Sequence, residues 1–334
     1  MALVELKHLT KHFEVRPGLV DRTLRNKPSR YIKAVERLNI DVQENEILGI
    51  AGESGCGKST TCMMIAGLLP PTSGEIRYRG QNLGTADAAA LKMHRRNVQM
   101  IFQDPYESLN PRFRIADIVA EGPRALKLWP ESEISERVIA MLAGVGLNPG
   151  KYAERFPHEL SGGERQRVGI ASAMVMEPEM IIADEPLSML DVSIRAGILD
   201  LFRELQDQRG FSSVYVSHDL SILGNVADRL MIMYLGQAME VGPVEQVIRS
   251  PQHPYTRALI GAVAIPDPRV KRPIPKISGD ISRPIDPPPG CRFAPRCPYA
   301  DDSCGHTFLE LDTSDPGRHQ AACHRLHVLP DEGL

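Results

Sequence analysis

The chain has 334 residues, 42% of them hydrophobic and 24% charged, and a formal net charge of −3. This length supplies two domains with a sizeable core, while the weakly acidic balance argues against a dedicated nucleic-acid binder, which carries a basic domain or stripe. No apolar run approaches the roughly 20 residues that span a bilayer, and the first residues lack the zones of a signal peptide, so a soluble cytoplasmic chain is expected.

Residues 3 to 14 alternate as a first strand ending near His12-Phe13-Glu14. From Arg16 to Lys33 six Lys or Arg stand against the single acid Asp21, with Pro17, Gly18 and Pro28 interrupting any regular element. This segment reads as a solvated basic loop, with lipid headgroups or a partner subunit as a second reading. Tyr31 to Gln43 resumes strand alternation. Ile47 to Ala51 is a buried strand, and Thr60 to Ala66 reads as the helix after it.

Between that strand and helix lies Gly52-Glu53-Ser54-Gly55-Cys56-Gly57-Lys58-Ser59-Thr60, which fits the phosphate-cradling P-loop pattern in the context it requires. Glycines let the backbone aim its N–H groups at phosphate oxygens, and the helix N-terminus adds partial positive charge. Lys58 is placed to reach the β- and γ-phosphates, and the Ser59 hydroxyl to ligate Mg²⁺.

Further along, strand, polar turn, short helix and the strand Val98 to Phe102 follow one another from Ile76 to Asp104. Residues 115 to 147 read as helices, with Ile134, Val138, Met141, Leu142 and Val145 at helical spacing. Leu160-Ser161-Gly162-Gly163-Glu164 opens a helix with a second phosphate-accessible N-terminus. Met180 to Ala183 is an apolar strand ending in Asp184 and Glu185; after a P-loop, such a pair serves to hold Mg²⁺ and to polarise an attacking water. A helix over 194–208 and strands at 213–216 and 230–233 complete an alternation that indicates a mainly parallel sheet covered on both faces.

Composition shifts near Pro266: ten of the 27 prolines fall between Pro266 and Pro298, which reads as a stiff linker. Four of the six cysteines follow, Cys291, Cys297, Cys304 and Cys323. In a reducing compartment such a cluster is read as a metal or cluster site before disulfides. Four thiolates suit tetrahedral Zn²⁺ or a [4Fe–4S] cluster, and His306, His319 and His324 are available to replace a thiolate in a zinc site.

Ser161-Gly162-Gly163, set between a P-loop and the Asp184-Glu185 strand, resembles the signature of ABC-type ATPases, and the other family elements follow in register. Gln103 looks like the Q-loop glutamine, which in the family senses the metal and the transport subunits. Ser188-Met189-Leu190-Asp191 is similar to the D-loop, with Met189 where alanine is usual. His218 matches the switch histidine at the γ-phosphate, and Phe13 the adenine-stacking aromatic, with Tyr31 the weaker candidate. Glu164 stands where many members have glutamine.

The resemblance implies an α/β P-loop NTPase core of ABC type with an antiparallel β subdomain, a helical subdomain at about 108–172, and an irregular Pro/Cys-rich extension; the expected domains are 1–265 and 266–334. It implies ATP and Mg²⁺, with Glu185, His218 and Gln103 catalytic, Gly52, Ser54, Gly55, Cys56, Gly57, Lys58, Ser59 and Thr60 on the phosphates, and Ser59, Gln103 and Asp184 around Mg²⁺. It also implies a nucleotide shared with Ser161, Gly162, Gly163 and Asp191 of a second ATPase subunit.

Phe102 to Arg112 and Pro251 to Arg257 look like stretches of the ATP-binding subunits of oligopeptide and dipeptide importers, which carry a similar Pro- and Cys-rich tail. That likeness implies ATP-driven peptide import, with import of a metal chelate, glutathione or a sugar, or a soluble non-transport ABC ATPase, as the alternatives, and it favours the [4Fe–4S] cluster over Zn²⁺ on Cys291, Cys297, Cys304 and Cys323. The implied partners are a related second ATPase chain, two transmembrane permease subunits and an extracytoplasmic solute-binding protein, with no nucleic acid. The implied location is the cytoplasmic face of the cell membrane.

Overall fold

A computed structural model describes residues 2–15, 29–263, 277, 285–287, 289–312 and 315–329. Most of the basic segment, 16–28, and most of the proline-rich linker, 264–276 and 278–284, lie outside these residues. The described strands are, in chain order, β1 (Ala2–Val15), β2 (Arg30–Gln43), β3 (Ile47–Ala51), β4 (Ser73–Tyr78), β5 (Gln81–Asn82), β6 (Val98–Ile101), β7 (Met180–Asp184), β8 (Ser212–Val216), β9 (Arg229–Tyr234), β10 (Gln237–Pro243) and β11 (Gln320–Ala321). The chain divides into two compact units, Met1–Val42 with Leu48–Gly84 and His218–Leu334, and Gln43–Ile47 with Thr85–Ser217.

The first unit carries an antiparallel sheet in the order β2-β1-β4-β5. Along β1 the side chains of Leu3, Val4, Leu6 and Leu9 are buried, and Val4 and Leu6 stand opposite Tyr78 and Ile76 of β4. Cross-strand apolar pairs of this kind hold one face of such a sheet on the core.

In the same unit β3 and β9 are buried along their whole length and pair in parallel, Ile50 opposite Met231, as the near-continuous apolar runs of a two-sided parallel sheet require. A two-residue turn, Leu235-Gly236, with positive φ at both positions (44° and 86°), returns the chain as β10, antiparallel to β9. β11, from the cysteine-rich tail, adds to β10 through Glu240 and Ala321. The described tail residues therefore belong to the same compact unit as the P-loop.

The second unit carries β6, β7 and β8 in parallel register, Ile101 opposite Ala183 and Asp184 opposite Val216. Helices Ile115–Leu126, Glu131–Gly144 and Gly162–Met174 form its helical part. The expected apolar stripe Ile134, Val138, Met141, Leu142 and Val145 is buried throughout. Helix Val192–Arg209 ends at Gly210, whose φ of 66° suits a left-handed cap. Several boundaries shift by one or two residues from expectation; the P-loop helix begins at Lys58 rather than Thr60, and β6 ends at Ile101 rather than Phe102. These are end effects, where the last hydrogen bonds are set by the turn rather than by the apolar period.

Candidate nucleotide site and cysteine-rich tail

In the first unit, β3 delivers the chain into the loop 52–57, and helix Lys58–Ile65 follows. Gly52 (φ 151°) and Gly57 (φ 106°) are required there: a Cβ would come within 2.1 Å of the Met233 carbonyl oxygen at the first and 2.2 Å of the Ala34 carbonyl oxygen at the second. Gly57 starts the helix with no side-chain cap, so the first N–H groups of the helix are not taken by a capping side chain. Lys58 is buried and its Nζ donates to the carbonyls of Gly52 (2.8 Å) and Glu53 (3.1 Å). Cys56 is buried, and desolvation pushes its thiol up. Ser54, Gly55 and Ser59 are exposed, and Thr60 is half-buried.

Phe13 lies on β1, 38% exposed, with the Lys11 ammonium 5.3 Å from its ring centre. Tyr31 is bound at its backbone to Asp286. His218 is exposed, just before helix Leu220–Val226.

In the second unit the apolar strand β7 ends at the buried Asp184, and Glu185 follows with φ 47°, a costly conformation for a non-glycine residue. Its backbone is held from both sides: its N–H donates to Val216 O (3.1 Å), and its carbonyl accepts from Ser188 N (3.1 Å) and Ser188 Oγ (3.0 Å). Gln103 Nε2 donates to Glu185 Oε2 at 3.2 Å, so these two expected catalytic residues meet. Asp191 is exposed and leaves its own helix, Val192–Arg209, without a side-chain cap.

The Ser161 helix start is built differently. Ser161 Oγ accepts from Glu164 N, while Glu164 Oε2 accepts from Ser161 N and Ser161 Oγ, both at 2.8 Å, a reciprocal capping box. Tyr152 donates to Glu164 Oε1 at 2.5 Å. That hydroxyl, then the Ser161 N–H, hold the Glu164 carboxyl below its usual range. Gly163 is required by packing, since a Cβ would lie 2.8 Å from Ile194 Cγ2. Tyr152 carried no sequence signal; it stands 12 residues before Glu164 and meets it only because the chain folds back.

The four tail cysteines are free thiols, and ionising one would oppose ionising its neighbours. Burial pushes Cys291 up to about 12, with Cys297 and Cys323 adding to it, and Cys297 up to about 11, with Cys323 and Cys304 adding to it. Backbone N–H groups of Phe293 and Ala294 point to Cys291, those of Tyr299 and Ala300 to Cys297, and that of Arg325 to Cys323. Among the described residues no group of three or more His, Cys, Asp or Glu is arranged to hold a metal ion. Two of the histidine substitutes are engaged elsewhere: His319 Nε2 meets Glu240 at 2.6 Å, and His324 Nε2 meets Thr307 O at 2.8 Å.

The tail is also pinned to its unit by residues that carried no motif. Arg292 reaches Glu36, Lys33 O and Leu235 O. Phe293, fully buried, packs on Tyr234 and Tyr255 with ring centres 5.4 and 5.3 Å away. Glu310 meets His8, Arg37 and Asn39.

A family model described as ABC transporter matches residues 35–188, and one described as the oligopeptide/dipeptide transporter C-terminal region matches 239–304. The chain is 42% identical over 330 residues to the oligopeptide transport ATP-binding protein OppF of Escherichia coli K12, covering 98% of this chain and 97% of that protein. It is 39% identical over 321 residues to the dipeptide transport ATP-binding protein DppF of the same organism, covering 96% and 93%. A solved dimeric ATP-binding cassette in a post-hydrolysis state with ADP and Pi is similar at a TM-score of 0.62 and 27% identity, over 72% of this chain and 98% of that one.

Proposed function

This chain belongs to the ABC transporter family, among the ATP-binding proteins of oligopeptide and dipeptide transport, and from that premise we propose how its residues couple ATP to peptide import. It is an ATPase subunit that powers the import of peptides through an ABC transporter. The observation that carries the mechanism is Glu185, held in strained backbone at a strand end and met there by Gln103.

On binding, the triphosphate takes N–H groups of Gly52 and of Ser54 to Thr60, and Lys58 exchanges its two carbonyl partners for the β- and γ-phosphates. Phe13 stacks on the adenine. Ser59, Asp184 and Gln103 offer the oxygen donors that suit Mg²⁺, which when bound neutralises charge on the β- and γ-phosphates. Glu185 orients and polarises the attacking water, and His218 holds the γ-phosphate. Ser161, Gly162 and Gly163, with Asp191, close on the nucleotide of a second ATPase subunit, a related but distinct chain.

The permease partners are supported by a cavity of about 280 Å³ in the second unit, next in sequence to Gln103 and lined in part by Phe102, Pro105, Leu109 and Ile118. Phe102 and Tyr106 are exposed, as a docking surface for an apolar partner segment would be. No described helix is long and apolar enough to cross a membrane, and the subunit works from the cytoplasmic face through those partners, with a solute-binding protein delivering the peptide.

For the tail we take Cys291, Cys297, Cys304 and Cys323 as ligands of a [4Fe–4S] cluster. The support is four free thiols within one compact unit, each within electrostatic reach of another and three of them met by backbone N–H groups, with tetrahedral Zn²⁺ as the alternative. Anaerobically purified protein should contain iron and absorb broadly in the visible; protein lacking both refutes the cluster.

Replacing Glu185 with Gln tests the site as a whole. E185Q should bind ATP while hydrolysis falls by about 10²–10³-fold, trapping an ATP-bound dimer visible by size-exclusion chromatography. Full turnover in E185Q refutes the assignment.

A further inference from the structure

The P-loop of this chain contains an acidic residue, Glu53, directly after Gly52. A carboxylate in a loop that receives a polyphosphate opposes binding unless its charge is balanced. The balance comes from the tail. Arg296 Nη1 donates to Glu53 Oε1 (3.2 Å), Glu53 Oε2 (3.3 Å) and Tyr234 OH (3.1 Å), with its side chain 11% exposed.

The same loop residue is held at its backbone, where Glu53 N donates to Tyr255 OH at 3.1 Å. Tyr234 and Tyr255 pack on each other and on the buried Phe293, which directly precedes the Ala294–Arg296 turn. The Leu235-Gly236 turn joins in, since Gly236 N donates to Cys56 O at 2.7 Å. The turn Ala294–Arg296, set between Cys291 and Cys297, thus presents a guanidinium to the loop.

We infer that Arg296 is a positioning residue of the nucleotide site, which neutralises Glu53 and fixes its side chain so that the loop accepts a polyphosphate. The inference rests on the ATP-site reading above. It makes the cysteine-rich tail part of the nucleotide-binding apparatus of its own subunit.

The test uses the full chain and fluorescent analogues of ATP and ADP, with thermal melting recorded in parallel. R296A should weaken ATP binding about tenfold, and ADP, with one charge fewer, by less. R296K should retain most of the affinity. E53Q should bind ATP at least as tightly as the parent chain, and E53Q/R296A should regain what R296A lost. Unchanged ATP binding in R296A, equal losses for ATP and ADP, or a double variant as weak as R296A would overturn the inference. If R296A does not fold, weaker ATP binding by E53Q overturns it. A parent chain that binds neither nucleotide would overturn the ATP site itself, a distinguishable failure.

Discussion

The two glycine-bearing helix starts, at Gly57 and Ser161, look alike in sequence and differ in structure. The first has no side-chain cap, and its lysine rests on carbonyls of its own loop. The second is already satisfied, Ser161 and Glu164 capping each other with Tyr152 behind them. A start left uncapped is ready for phosphate at once, whereas a capped one must give up a hydrogen bond to take it. On the proposed function, the first suits a standing grip on phosphate, and the second a grip made only when subunits close.

The largest expected break in that comparison is Lys58→Ala. It removes the charge of the standing grip and should lower ATP hydrolysis by about 10²–10³-fold, with the Ser161 helix start intact by hydrogen exchange; near-parental turnover would remove Lys58 from the phosphates.

Acid should separate the two starts next. His253 is buried, its Nδ1 accepts from Tyr255 N at 3.1 Å, and burial holds its pKa down at about 3. The folded state keeps it neutral while the unfolded chain takes up a proton below 6.5, so stability falls as pH drops from 6.5, by about 1.4 kcal/mol per unit. Glu164, held below 4.5, contributes stability that is present above that pH and lost beneath it. Between 4.5 and 6.5 the Tyr255 side of the P-loop should therefore loosen first. Denaturant melts at about pH 7.5 and about pH 5, with exchange rates at Glu53 and Glu164, measure this; equal protection at both sites would contradict it.

The smallest effects sharpen the second start. Ser161→Ala should cost about 1 kcal/mol of stability through the lost cap, and Tyr152→Phe about as much or less through one hydroxyl, each read as a shift of the urea midpoint. A Tyr152→Phe effect exceeding that of Ser161→Ala would mean that the tyrosine, rather than the cap, holds this start.

Much of the site was legible locally. The P-loop, the Ser161 start and the Asp184-Glu185 strand end are each read from a few adjacent residues, because turn geometry, capping and strand burial act over a few positions. Gln103 was readable only through the family resemblance, and the structure then brings it to Glu185, 82 residues away. The Arg296–Glu53 contact, 243 residues apart, had no local sign. Nor had the His319–Glu240 pair, in which a wholly buried carboxylate is met from the tail.

What the sequence by itself determined was the set of short-range devices: glycines where the chain must turn, apolar periods that choose strand or helix, and carboxylates at a strand end. What only the tertiary structure decided was which distant side chains neutralise one another and where the tail lies. The reason is physical: local conformation depends on neighbours along the chain, whereas burial and charge pairing depend on neighbours in space.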